Sequence, residues 1–120
     1  MYWQKKGKII HCQNELTWMK SHAMLPTVMH LKNDKFRVYF SGRDNYKRSL
    51  IGYANLEIKD SHIKVLNYSK EPVLSIGERG CFDDNGVTPS CVINNKLYYI
   101  GWNSGTTTYR MSLIMGLALE

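Results

Sequence analysis

The sequence has no CxxC pair, no HxxxH or HxH spacing, and no apolar run approaching the roughly 20 residues that cross a bilayer. Each absence excludes something. Three cysteines, Cys12, Cys81 and Cys91, are odd in number and unclustered, so a disulfide framework is not expected and the thiols read as reduced. Four histidines, His11, His22, His30 and His62, are too scattered for a metal site, and nothing calls for a cofactor. The opening MYWQKKGKII carries charge where the apolar part of a secretory signal would stand, which makes the cytoplasm the expected compartment and leaves no membrane partner.

Acidic residues are also scarce, 10 against 16 Lys and Arg, giving a net charge of +6 and a pI near 9.3. That balance permits attraction to acidic partners. The bases are scattered, however, and the densest run, KKGK at 5–8, is short, so nucleic-acid binding, which needs a clustered footprint, is not expected.

What is present is the composition of one small ordered domain: 120 residues, 43% apolar, with eight Tyr, three Trp and three Phe. KFRVYFSG (35–42) alternates Phe36, Val38 and Phe40 with Arg37, Tyr39 and Ser41, and KLYYIGW (96–102) has the same character after Asn94-Asn95. Further strands are expected at 24–31, 49–58, 62–68, 88–93 and 111–119, and no window supports an amphipathic helix.

The strands repeat. LPTVMHLKNDKFRVYFSG aligns with TPSCVINNKLYYIGW, and RSLIGYANL with MSLIMGLAL. Pro26 and Pro89, like Ser49 and Ser112, stand 63 positions apart, and Gly42 and Gly101 stand 59 apart. A module of about 60 residues made of three or four antiparallel strands is a sheet apolar on both faces, which cannot bury itself. Radial packing of such sheets is a β-propeller, and two blades do not close a ring, so the chain is expected to be about two blades of something longer. In this reading 3–12 is a strand of the closing blade, 22–68 the first blade and 81–118 an incomplete second blade. Leu119-Glu120 is read as a cloning scar. Open blade faces and an unpaired edge at 112–117 predict self-association, with the strand at 3–11 filling the missing place.

Five segments then carry a family resemblance: WMKSHAMLPT (18–27), RVYFSGRD (37–44), SLIGYANL (49–56), EPVLSIGERGCFDDNGVTPSCV (71–92) and YYIGWNSG (98–105). Together they resemble the N-terminal part of a bacterial family of five-bladed β-propellers related to glycoside hydrolase families 43, 32 and 130, often found among surface-polysaccharide genes. The resemblance implies an all-β antiparallel propeller with a sugar site in a central funnel. It implies a catalytic aspartate on the first blade, a second, tuning aspartate, and a glutamate acid on a later blade, which would lie beyond residue 120. His22 stands where related enzymes tend to carry the first aspartate. Inverting hydrolysis needs two carboxyl groups about 6.5–9.5 Å apart, so this departure leaves two expectations open: a glycosidase-like enzyme whose base is His22, inactive as the 120-residue piece, or a non-catalytic carbohydrate-binding or scaffolding propeller.

The candidate site residues each have two readings. Asp83 and Asp84, by analogy at the funnel rim, either grip sugar hydroxyls and assist an acid or form an Asx turn before Gly86. His22 is a base or a histidine bonded to a backbone carbonyl at the core edge. Arg43 and Asp44 bind substrate or tie one blade to the next. Trp102 and Asn103 pair a stacking ring with an amide suited to hydroxyls, or Trp102 fills the wedge between blades. Arg110 is a candidate for an anionic sugar or phosphate group, and Arg48 reads as solvated or blade-linking.

Overall fold

The computed structural model describes residues 1–105 and 114–119, which contain seven strands and no helix. Among the described residues no helix is therefore long and apolar enough to cross a membrane. Four strands form a first meander: β1 (Ser21–Lys32), β2 (Lys35–Arg43), β3 (Ser49–Lys59) and β4 (His62–Tyr68). Three form a second: β5 (Gly86–Ile93), β6 (Lys96–Trp102) and β7 (Ile114–Leu119).

The hairpins follow from local chemistry. Asp60-Ser61 and Asn94-Asn95 each place two successive residues at positive φ, the twist that a two-residue hairpin loop requires and that Asp and Asn tolerate. Within the strands, alternation sends Val38, Phe40, Ala54 and Leu56 to one face of the first meander, where they form a core with Trp18 and Met19. The opposite face presents Tyr39 and Ile51, which meet Val87, Leu97, Tyr99 and Ala118 of the second meander. The two modules are thus packed face to face. Their backbones touch through one parallel bridge, Ser49 to Gly86, and buried Ser41 Oγ donates to the Val87 carbonyl at 3.0 Å.

Each module has an aromatic residue just ahead of its first strand, laid over a glycine. A Cβ at Gly52 would overlap the Trp18 ring, and one at Gly101 would overlap the Phe82 ring. Trp18 is fixed further by its indole donating to the Ser69 carbonyl at 3.1 Å. The segments before the two first strands are therefore structural counterparts: Met19 packs against Gly42 as Asp83 packs against Gly101.

Among the described residues β1, β4 and β7 each pair on one side only, so the sheet is not closed. Residues 3–12, expected as a strand, form none; instead Ile9 and Ile10 lie along an apolar groove lined by Pro26, Val28, Phe40 and Leu56. The charged run at 5–8 breaks the period-2 pattern that a paired strand would need.

Candidate functional site

One row of paired residues crosses five of the seven strands at the end where the modules join: Ser21, Arg43, Ser49, Gly86 and Trp102. His22, Asp44, Asn85 and Asn103 adjoin that row in the chain. Antiparallel register within each module and the parallel bridge between them thus gather at one end residues that lie up to 82 positions apart in sequence.

Arg43 and Trp102 line a common cleft of about 360 Å³ with Met24, Leu25, Lys47, Ser49 and Asn85. Trp102 is 41% exposed, and its indole donates to Thr88 Oγ1 at 3.1 Å, which fixes the ring edge and leaves the ring accessible. Arg43 is half-buried; its Nε is buried and has no hydrogen-bond partner among the described residues. On β1, His22 (φ 64°) and Leu25 (φ 52°) are left-handed, and the register slips between Ser21 and Met24 and again before Thr27. Such bulges turn side chains away from the regular pleat, each left-handed residue costs about 1–3 kcal/mol, and both features cluster beside functional sites. His22 is exposed, with Nδ1 2.9 Å from Ser21 Oγ.

The expected carboxylates are engaged elsewhere. Asp83 is buried, and its Oδ2 accepts a 3.0 Å hydrogen bond from Tyr99 Oη. Burial, then this hydrogen bond and the Asp83 charge, push the Tyr99 phenol up from 10.0 to about 12. Asp84 Oδ2 accepts from the Gly80 amide at 3.0 Å, closing the loop before β5. Its Oδ1 is buried without a partner among the described residues.

Asp44 serves the β2–β3 turn. Its Oδ1 accepts from the amides of Tyr46 and Arg48, both at 2.9 Å, and its Oδ2 takes the Arg48 fork at 2.9 and 2.8 Å. The pair is therefore Asp44 with Arg48, within one turn, and Arg43 is left out of it. The spacing of an acid and an arginine four apart in RDNYKR was the available signal. Asn103 is buried and its Oδ1 accepts from the Gly105 amide at 3.0 Å. Arg110 lies outside the described residues. Lys47, Ser49 and Asn85 were missed, because a turn lysine, a strand-end serine and a loop asparagine carry no signal until the modules meet.

No group of three or more His, Cys, Asp or Glu able to hold a metal occurs among the described residues. The cleft can offer cations, an aromatic face, and hydroxyl and amide groups.

Two uncharacterized proteins of Mycobacterium tuberculosis, MT1551 and Rv1502, from different strains, are each similar to this chain at 41% identity over 111 residues. The match covers 89% of this chain and 37% of each relative, so the chain spans well under half the length of the curated relatives it matches. No family model matches the sequence, and no solved structure matches it.

Proposed function

We propose that the two meanders are blades of a larger, glycosidase-like propeller that recognises a carbohydrate at the end where the blades meet. The observation that carries this is the shared cleft, where an accessible Trp102 ring faces the same space as Arg43, Ser49 and Asn85. An indole face stacks on the apolar side of a pyranose while hydroxyl, amide and guanidinium groups bond to its rim. The face-to-face packing of two repeated modules supports the blade reading, as does the apolar groove left on the far side of the first. The relatives' greater length leaves room for further blades.

Recognition is favoured over hydrolysis because Asp44, Asp83 and Asp84 all have structural partners. Calorimetric titration with a panel of bacterial surface-polysaccharide fragments tests this. Binding that survives Asp83→Asn and Asp84→Asn without turnover supports it, and no binding across the panel overturns it.

A second reading, hydrolysis with His22 as base, draws on the exposed, left-handed His22 at the same end. Release of reducing sugar that is abolished by His22→Ala would favour it.

A further inference from the structure

We infer that the cleft at the module junction seats an oxyanion, a carboxylate, sulfate or phosphate carried by the sugar, gripped by the Arg43 guanidinium with Lys47 alongside. This rests on the carbohydrate reading above and narrows it to acidic saccharides.

A guanidinium nitrogen taken out of water needs an acceptor, and buried charges are ordinarily paired. Arg43 Nε is buried and has none, and its side chain makes no hydrogen bond or ion pair among the described residues. The neighbouring carboxylate, Asp44, has spent both oxygens on Arg48 and the turn amides. Among the described residues no Asp or Glu lines the cleft. Residues 106–113, TTTYRMSL, contain no acid, and Glu120 follows Leu119, which pairs with Lys96 at the far end of β6 from Trp102.

Lys47 sharpens the imbalance. It sits in the β2–β3 turn at φ 62°, a left-handed conformation that Asp44 stabilises by accepting the Lys47 amide on its carbonyl at 3.1 Å. Lys47 lines the same cleft as Arg43, so two cations share one space with no carboxylate among the described residues that line it. An external oxyanion satisfies both. The planar guanidinium suits the paired oxygens of carboxylate, sulfate or phosphate, and the flexible ammonium adds a point charge.

The surroundings then select a sugar acid over a bare ion. Trp102 and Leu25 give the cleft an apolar side, while Ser49 and Asn85 offer groups that pair with hydroxyls. Its volume of about 360 Å³ falls in the range of small-ligand sites, about 300–1,000 Å³. The first module supplies Arg43, Lys47 and Ser49 and the second Asn85 and Trp102, so neither module alone forms the site.

Isothermal titration of the full chain at low ionic strength with matched probes decides the matter: methyl glucoside, methyl glucuronide, glucose 6-phosphate and inorganic phosphate. The expected result is that at least one charged sugar binds about tenfold or more tighter than methyl glucoside. That preference should vanish in Arg43→Gln, weaken in Lys47→Ala and shrink with added salt. Equal binding of charged and neutral sugars overturns the anion assignment and leaves the carbohydrate reading standing. Inorganic phosphate binding as tightly as both charged sugars keeps the oxyanion site and overturns the sugar reading. No binding of any probe overturns both. Thermal unfolding supplies the folding control: Arg43→Met should melt at or above the parent temperature, because it removes a buried, unpaired nitrogen. A large drop would show that Arg43 already has a structural partner and would overturn the proposal.

Discussion

Tyr99 Oη donates a 3.0 Å hydrogen bond to Asp83 Oδ2 inside the second module, at the place where the first module holds apolar side chains. Met19 and Phe40, the counterparts of Asp83 and Tyr99 in the repeat, both belong to the buried core of the first module. The second module thus holds a hydrogen-bonded pair where the first holds two apolar residues.

Such a pair should behave as a unit. Tyr99→Phe alone leaves a buried carboxylate short of a donor and should cost about 1–3 kcal/mol. The double change Asp83→Met with Tyr99→Phe, which restores the first module's chemistry, should cost less than the two single changes added together. A double-mutant cycle by urea unfolding measures the coupling; strict additivity would show that the bond has no energetic role.

The raised Tyr99 pKa gives a pH dependence with a definite sign. Between the ordinary value of 10.0 and about 12 the unfolded chain has lost the phenol proton while the folded chain keeps it. The tyrosine's contribution to stability is thus fully present below pH 10 and falls as pH rises toward 12. Tyr99→Phe should flatten that part of the unfolding-midpoint profile measured from pH 9 to 12, relative to the parent protein.

Gly52 lies against the Trp18 ring with no room for a methyl group. Gly52→Ala should destabilise the first module by about 1–3 kcal/mol through overpacking. Gly80, by contrast, has nothing near the Cβ position, and its φ of +99° is the only obstacle to a side chain. Chemical denaturation followed by Trp fluorescence separates the two, since only Gly52→Ala should also perturb the native Trp18 emission.

Asp44→Ala removes the one oxygen that accepts from two amides, together with the Arg48 partner, and should cost about 1–2 kcal/mol. Asp44→Asn keeps an acceptor for the amides and loses only the part-exposed charge pair, so its cost should be under about 1 kcal/mol. Hydrogen exchange at the Tyr46 and Arg48 amides tests the order, with Asp44→Ala the faster.

Exposed Val28 on β1 and Leu117 and Leu119 on β7 lie on strands with one unpaired edge. Self-association through these edges and faces is the expected outcome, read by light scattering as a mass that rises with concentration. A constant monomer mass up to high concentration would refute it.

The strands were legible because side-chain alternation is a local property. The stretch 35–42 puts Val38 and Phe40 on one face whatever it packs against, and the structure extends that strand by one residue to Arg43. Asn94-Asn95 marked a hairpin for an equally local reason. Residues 3–12 misled because Ile9 and Ile10 are apolar enough for a strand, yet Ile10 is partly buried by lying on the first module's face without pairing, and Ile9 stays exposed beside it.

The site was legible only in part. Arg43 and Trp102 stand out in the sequence as separate residues, and nothing in their neighbourhoods says that they share a cleft. Asp83-Asp84 looked like exposed chemistry because two adjacent acids usually face water, whereas the fold buries Asp83 beneath Tyr99.

By itself, then, the sequence determined the strand periodicity, the turns and the repeat, all of which depend on residues within a few positions of one another or on a fixed offset. Tertiary structure alone decided which acids are occupied and which base is left without a partner. Pairing and burial depend on the register across strands and on how one module's face meets the next, and those are set by contacts between residues distant in the chain.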